Sequence, residues 1–388
     1  MTPIFYPINA WEKRKFGDLY SKTSEKNDGS FGPDKIISVA TMSWKTNVRI
    51  SSEDYLATYN VLRKGDIAFE GNKSKKFSFG RFVENDIGDG IVSHVFVVFF
   101  FRPKVSPIIS YWKYFIHNEF VMRNILRKST IKATMMTNLS SHDFLRQTLC
   151  TPSFKEQENI GNFLERLDSL IAATQGKLDN LEKIKRALLK HLFDQSMRFR
   201  GYSDPWEKRK FGELYKPNKE RNESAEFSSE NTLSIATMTV NRKGNGAAKT
   251  SLLKYKVIRI GDIAFEGHTS KKFAFGRFVL NDVADGIMSP RFTCLRPIHR
   301  QIIQFWKQYI HYEPILRPIL IRSTKLGTMM NELVVPDLLK QNIRVPSINE
   351  QKLIGKSLSR VDDLIAATQS KLSSLETLKK ALLQGLFI

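Results

Sequence analysis

The sequence contains one long internal duplication, and this constrains the fold more than any other feature. The segment WEKRKFGDLY at 11–20 returns as WEKRKFGELY at 206–215, with nine of ten letters identical. The segments 65–93 and 261–289 agree at 22 of 29 positions. A period of about 195 residues is far longer than the roughly 20–50 residues of solenoid repeats. The 388 residues are therefore predicted to form two related halves, each with its own core.

Each half begins with a mixed region. Stretches rich in Val, Ile and Phe, such as IISVATM at 36–42 and VVFFF at 97–101, predict strands, and Gly-Asp segments between them predict turns. Residues 108–126 and 301–320 each read as one amphipathic helix.

Each half ends with a heptad pattern. Apolar residues lie alternately four and three positions apart from 160 to 192 and again from 354 to 386. Both runs are interrupted at equivalent places, first by a threonine and then by a lysine: Thr174, Lys185, Thr368 and Lys379. A helix with one apolar face must bury that face against another surface. This surface is either the domain that precedes the helix or the second long helix in an antiparallel pair.

The predicted fold class is α+β, with two mixed α/β globular domains joined by two long antiparallel coiled-coil helices in a pseudo-twofold arrangement. The predicted bounds are 1–152 for the first globular domain, 153–197 for the first helix, 198–346 for the second domain and 347–388 for the second helix. A helix of about 38 residues is roughly 57 Å long.

Charge indicates the class of partner. The formal net charge is +22, and the helical segments 155–193 and 349–387 contribute only +1 and +2 of it, which leaves +19 on the globular parts. This excess favours a protein with an anionic partner, first nucleic acid and then a membrane surface. The alternative is a generally basic protein without such a partner. Two cysteines, no apolar run of about 20 residues and no signal-like start favour a cytoplasmic protein.

The motifs of common enzymes are missing from the sequence. It has no phosphate-binding Gly-Lys-Ser/Thr loop, because GNGAAKT at 244–250 lacks the glycine before Lys249. It also has no Asn/Asp-Pro-Pro-aromatic tetrapeptide, no dinucleotide-binding glycine motif and no convincing metal-ligand spacing. The recurring histidines, His117 and His311, are predicted to be packed or capping residues. The chain is predicted not to be an enzyme.

Two sets of residues are candidates for DNA contacts. Basic residues that recur between the halves suit phosphate binding, whereas the neighbouring phenylalanines are predicted to be core. These basic residues are Lys73, Lys75, Lys76, Arg81, Lys271, Lys272 and Arg277. Segments that differ between the halves, 43–60 and 239–256, suit base reading. The candidate readers are Trp44, Lys45, Asn47, Arg49, Asn241, Arg242, Lys243 and Asn245.

Several motifs also occur together in a fixed order. Each half opens with Trp-Glu and Phe-Gly-Asp/Glu-Leu, continues with a Gly-Asp-Ile turn and an Arg-Pro after a strand, and starts its helix with Pro-x-x-x-Glu-Gln. The junction between the halves reads RFRGYSDPWEKRKFGEL at 198–214. This order, over nearly the whole chain, resembles the specificity subunit of type I restriction–modification systems.

The resemblance implies a function for the whole chain. Its globular domains would be target recognition domains that read a bipartite double-stranded DNA site in the major groove, and the helices would fix the spacer, at most about 17 base pairs for a 57 Å rod. The chain itself would be non-catalytic and bind no cofactor. The implied partners are two methyltransferase subunits that use S-adenosylmethionine and restriction/translocase subunits that use ATP and Mg.

One feature departs from a typical member of that family, in which the two recognition domains are dissimilar. Because the 29-residue blocks of this chain are mostly identical, the half-sites are predicted to be related, with near-inverted sequences. The alternatives are a stand-alone coiled-coil DNA-binding regulator and a structural coiled-coil adaptor.

Overall fold

The computed structural model describes residues 11–46, 53–102, 106–132, 136–242, 246–327 and 330–387. The chain forms two compact units. Unit 1 consists of Met1–Gln175 and Ser370–Ile388, and unit 2 is the continuous segment Gly176–Gln369. Each unit therefore contains part of both long helices.

The first half is built from short elements followed by one long helix. Its strands are β1 (Glu12–Lys15), β2 (Tyr20–Thr23), β3 (Ile37–Ser38), β4 (Ser43–Trp44), β5 (Asn60–Leu62), β6 (Ile67–Glu70), β7 (Arg81–Glu84), β8 (Gly90–Val92), β9 (Val97–Phe101), β10 (Thr130–Lys132), β11 (Thr137–Leu139) and β12 (Thr148–Thr151). Its helices are α1 (Phe16–Leu19), α2 (Glu53–Leu56), α3 (Ile109–Ile116), α4 (Glu119–Ser129), α5 (Ser141–Arg146) and α6 (Phe154–Phe193).

The second half repeats this order. Its strands are β13 (Glu207–Lys210), β14 (Tyr215–Pro217), β15 (Leu233–Ser234), β16 (Thr239–Val240), β17 (Lys256–Ile258), β18 (Ile263–Glu266), β19 (Arg277–Leu280), β20 (Gly286–Met288), β21 (Thr293–Pro297), β22 (Thr324–Lys325), β23 (Glu332–Leu333) and β24 (Asn342–Val345). Its helices are α7 (Phe211–Leu214), α8 (Lys249–Leu252), α9 (Ile303–Tyr309), α10 (Glu313–Ile321), α11 (Val335–Lys340) and α12 (Ile348–Gly385).

A four-stranded antiparallel sheet forms the frame of each globular domain. Its strand order is β2-β9-β6-β7 in the first half and β14-β21-β18-β19 in the second. The sequence Ile-Ala-Phe-Glu of β6 and of β18 is buried at all four positions, as expected for an inner strand. The predicted mixed domains are thereby confirmed.

Aromatic side chains fill the core beneath the sheet of unit 1. The ring of Phe144 lies 4.4 Å from both Phe16 and Phe82, measured between centroids. The end of α12 closes this core, because the ring of Phe387 lies 5.6 Å from Tyr111 and from Phe115 on α3. The first domain is therefore completed by residues far along the chain.

The region 108–126, read from its periodicity as one helix, is two. The chain turns at His117, and the side chain of Asn118 accepts a hydrogen bond from the N–H of Phe120 to cap α4. The same break separates α9 from α10, where Pro314 occupies the first turn of the new helix. The single-helix prediction was wrong in both halves, because the apolar periodicity continues through a break that is marked by a capping side chain in one half and by a proline in the other.

The two long helices run antiparallel within each unit. In unit 1, Asp168 near the start of α6 pairs with Lys379 near the end of α12 at 2.5 Å. In unit 2, Lys185 near the end of α6 pairs with Asp362 near the start of α12 at 2.6 Å. The lysines that interrupt the heptads thus each bind an aspartate of the opposite helix. The predicted antiparallel pairing is confirmed within both units.

Candidate nucleic-acid interface

A basic loop links β6 to β7 in unit 1. Phe77 is buried with its ring 5.0 Å from that of His117, and its N–H donates to the hydroxyl of Ser74 at 3.0 Å. In return, the N–H of Ser74 donates to the carbonyl of Phe77. Phe77 is thus fixed inside the domain, and Lys73, Lys75 and Lys76 are all exposed on the loop.

Unit 2 repeats the loop between β18 and β19. Phe273 lies 5.0 Å from His311, and its N–H donates to Ser270 at 3.1 Å. The equivalents of Lys75 and Lys76, Lys271 and Lys272, are exposed. Burial, with nearby Arg277 and Lys272 adding, lowers the pKa of His311 to about 4, and burial also lowers the pKa of His117. Both histidines are packed and neutral at pH 7, which matches their predicted role.

Arg81 and Arg277 hold each loop to a neighbouring hairpin. Nε of Arg81 donates to Glu70 at 2.6 Å, and a second nitrogen donates to the carbonyl of Ala40 at 2.9 Å. Arg277 makes the same two contacts, to Glu266 at 2.6 Å and to the carbonyl of Ala236 at 2.7 Å. Their assignment as DNA contacts stays a prediction, and the structure also gives them intramolecular partners.

The hairpin that Arg81 holds, β3–β4, carries a cluster of hydroxyl groups. Thr41 Oγ1 lies 2.9 Å from the hydroxyl of Ser38 and 2.7 Å from that of Ser43. Met42 is in the left-handed region with φ +43°, an unfavourable conformation for a residue with a side chain. The exposed hydroxyls are suitable phosphate ligands.

The second half repeats this cluster. Thr237 Oγ1 lies 3.0 Å from Ser234 and 2.8 Å from Thr239, beside Met238 with φ +47°. The residues proposed from the sequence did not include either hydroxyl cluster. The repeated segments SVATM and SIATM, each followed by a Ser or Thr, are the signal that could have identified them.

The predicted base readers differ in their surroundings. Trp44 is half-buried, with the ammonium of Lys35 5.0 Å from its ring, so much of its surface is used inside the domain. Lys45, Asn241 and Arg242 are exposed. The remaining candidates lie outside the described residues: Asn47, Arg49, Lys243 and Asn245.

A cavity of about 880 Å³ lies beside this surface in unit 1, and Thr41, Lys76 and Glu84 contribute to its wall. Glu84 is only 2% exposed, and neither carboxylate oxygen has a hydrogen-bond partner among the described residues. Burial, with Asp86 adding, raises the pKa of Glu84 well above its usual value. The equivalent residue of unit 2 is Leu280, so the acid belongs to the first half alone.

A second buried acid, Asp262 in unit 2 and Asp66 in unit 1, has different partners in the two units. In unit 2, the guanidinium of Arg296 donates to Asp262 at 2.9 Å and to Glu220 at 2.5 Å. In unit 1 the equivalent of Arg296 is Phe100, which is 43% exposed. The equivalent acid, Asp66, has no arginine in that place, and burial raises its pKa to about 6.

The long helices also present apolar side chains to solvent. Leu170 on α6 and Leu378 on α12 are exposed beside the Asp168–Lys379 pair in unit 1. Leu364 on α12 and Ile184 on α6 are their equivalents in unit 2, beside the Lys185–Asp362 pair. Single exposed apolar side chains of this kind are common on folded proteins and do not by themselves mark a binding surface.

The described part of the chain has neither a metal-binding cluster nor a membrane span. No group of His, Cys, Asp or Glu suited to a metal ion occurs among those residues. Within the same ranges, no helix has the length and apolar character needed to cross a bilayer.

Comparisons with known proteins agree on one family. The family model for the type I restriction modification DNA specificity domain matches residues 9–183 and 203–377. A Methanocaldococcus jannaschii protein named as the type I restriction enzyme MjaX specificity subunit is 20% identical over 404 residues, which span 96% of this chain and 92% of that protein.

Two solved structures share the fold. The S subunit of a type I restriction–modification system from M. genitalium matches with a TM-score of 0.57 and 15% identity, covering 100% of this chain and 99% of that one. The HsdS subunit from Thermoanaerobacter tengcongensis matches with a TM-score of 0.53 and 18% identity, at 100% and 99% coverage.

Proposed function

Because the chain belongs to the type I restriction–modification DNA specificity family and carries two copies of its domain, we propose that its two units read the two halves of one bipartite DNA site. Specificity subunits recognise the DNA target and are themselves non-catalytic. The partners of this chain are accordingly DNA and the other subunits of the restriction–modification complex.

The repeated basic loop is the observation that carries the proposal. In both units the same buried phenylalanine, hydrogen-bonded to an exposed serine of the loop, lies beside the same exposed lysine pair. An equivalent arginine, Arg81 or Arg277, joins each loop to a hairpin tip that carries three hydroxyl groups. Lysines and hydroxyls bind phosphates without reading sequence, so these parts would position the duplex while the differing loops read bases.

The two half-sites of this proposal are related to each other. The framework that positions DNA is nearly the same in both units, so differences in base preference would arise in 43–60 and 239–256, where the halves diverge. The long helices would set the spacer between the half-sites.

The catalytic partners would be two methyltransferase subunits, one for each half-site. The two copies of the specificity domain support this number, because each half of the chain carries one. S-Adenosylmethionine would be bound by those subunits, and ATP and Mg by restriction/translocase subunits.

Mapping of modified adenines tests the proposal directly. The chain is co-expressed with its methyltransferase partner in a host without adenine methylation, and modified positions are read by single-molecule sequencing. A motif with two halves and a fixed gap is the expected result. A soluble complex that leaves no motif would instead favour a stand-alone regulator or an adaptor.

The lysine loops are tested by salt dependence. Substitution of Lys75, Lys76, Lys271 and Lys272 by Ala should flatten the plot of log K against log salt by about 0.9 for each phosphate that the protein no longer neutralises. The matched control removes four exposed lysines of the long helices, Lys177, Lys183, Lys190 and Lys371, and should leave the slope unchanged. Equal slopes in all three proteins would remove the loops from the interface.

A further inference from the structure

In each recognition domain one helix, α3 or α9, lies directly on the backbone of a long helix. In unit 1, a methyl group on Gly161 of α6 would lie 2.6 Å from the carbonyl carbon of Ser110 and 2.8 Å from the nitrogen of Tyr111. In unit 2, a methyl group on Gly355 of α12 would lie 2.7 Å from the nitrogen of Phe305. No side chain fits between the two elements at either place.

A polar contact fixes a second point of the same helix. Two turns after Gly161, Asp168 accepts a hydrogen bond from the hydroxyl of Tyr114 at 2.7 Å while it pairs with Lys379. The aspartate thus joins the recognition domain and both long helices of unit 1.

Unit 2 makes the same junction with a different donor. Seven residues after Gly355, Asp362 accepts from Nε2 of Gln308 at 2.6 Å and pairs with Lys185. The geometry of the junction is thus retained although the side chain that donates has changed from tyrosine to glutamine.

Two contact points restrain the rotation of the recognition domain against the long helix, whereas a single contact does not. Residues seven apart lie on one face of a helix, so the glycine and the aspartate bind opposite ends of the same short helix. Removal of either point would weaken the hold of α3 on α6, to which the ion pair of Lys113 with Glu165 at 3.0 Å also contributes.

We infer that Tyr114 with Asp168, and Gln308 with Asp362, are positioning residues that set the angle of each recognition domain and thereby the gap length that the chain accepts. This inference rests on the proposed bipartite function. Each added base pair moves a half-site by about 3.4 Å and turns it by about 34°, because B-DNA has about 10.5 base pairs per turn. Discrimination between gaps therefore depends on a fixed angle, whereas recognition of bases does not.

The test compares three substitutions in the complex of the full chain with its methyltransferase. Tyr114→Phe removes one hydrogen bond and keeps the ring, and Gly161→Ala forces α3 away from α6. Tyr114→Gln copies the donor of unit 2. Methylation rates are measured on duplexes that carry the mapped motif with its natural gap, one base pair fewer and one base pair more.

Tyr114→Phe and Gly161→Ala should lower the preference for the natural gap roughly tenfold, the factor that corresponds to one hydrogen bond to a charged group. The preferred bases should stay the same, and Tyr114→Gln should restore the natural preference. Lys75→Ala is the control and should slow methylation equally at all three gaps.

The outcomes separate this inference from the proposed function. A wild-type chain without a bipartite motif would overturn the function, and the variants would then be irrelevant. A wild-type motif with an unchanged gap preference in folded Tyr114→Phe protein would overturn the positioning role alone. An altered base preference at the natural gap would also contradict it.

Discussion

Phe100→Arg should stabilise unit 1 by giving Asp66 the partner that Asp262 has in unit 2. Asp66 is 7% exposed and its pKa is about 6, whereas an unperturbed aspartate titrates near 3.9. Because the folded-state pKa is the higher one, the native state binds more protons between about pH 4 and 6. The contribution of Asp66 to the free energy of unfolding therefore falls as the pH rises through that window.

The magnitude follows from the size of this shift. Two pKa units correspond to roughly 3 kcal/mol, the most that removal of the shift can restore above pH 7. Ordering an arginine at a partly exposed site costs side-chain entropy, so the expected gain is about 1–2 kcal/mol at pH 8. Below about pH 4 the gain should disappear, because Asp66 is then protonated in both states.

Hydrogen exchange of the β6 amides between pH 4.5 and 8 would report on unit 1 separately from unit 2. Phe100→Leu is the control for removal of the aromatic ring, and Arg296→Phe is the reverse change. The reverse change should destabilise unit 2 by about 3–5 kcal/mol, because it leaves Asp262, 1% exposed, without its cation. If the β6 amides of the Phe100→Arg protein showed the same pH dependence of hydrogen exchange as those of wild type, the reasoning would be refuted.

Three further changes have defined expectations. Glu84→Leu, which copies Leu280, should raise the free energy of unfolding of unit 1, measured with urea, by about 2 kcal/mol or more at pH 8 and by less at low pH, because the pKa of the buried acid is raised. Arg198→Ala should destabilise unit 2 by about 3–5 kcal/mol, because it removes two 2.8 Å hydrogen bonds to buried Glu350. The double variant Arg198→Ala with Glu350→Gln should recover part of this loss, because the buried charge is then removed as well. Phe387→Ala should cost unit 1 about 3–5 kcal/mol and leave hydrogen exchange in unit 2 unchanged.

The duplication and the heptads were sufficient to predict the architecture, because both are periodic in sequence. The threonine and lysine interruptions were visible as exceptions to the heptads, but their partners were not. Asp168 and Asp362 lie far from Lys379 and Lys185 in sequence, so only the antiparallel register brings each pair together. Long-range polar pairs of this kind leave no local pattern.

The candidate site was predictable in its location and less so in its detail. Lys75 and Lys76 stood out because a basic pair recurs beside buried phenylalanines. The intramolecular role of Arg81 was missed, because Glu70 pairs with it only across the β6–β7 hairpin. The break at Asn118 was missed because a capping hydrogen bond does not alter hydrophobic periodicity.

The discontinuity of unit 1 affects the order of folding during protein synthesis. The amide of Asn118 donates to the carbonyl of Leu383, which the ribosome adds 265 residues later, and Phe387 follows. Unit 2 is continuous, so all of its residues are available before the last segment of unit 1, Ser370–Ile388. Domains that emerge first usually fold first, but here the amino-terminal domain must wait with an open aromatic core while the later one forms. A nascent chain stalled before residue 383 would therefore expose that core to chaperones.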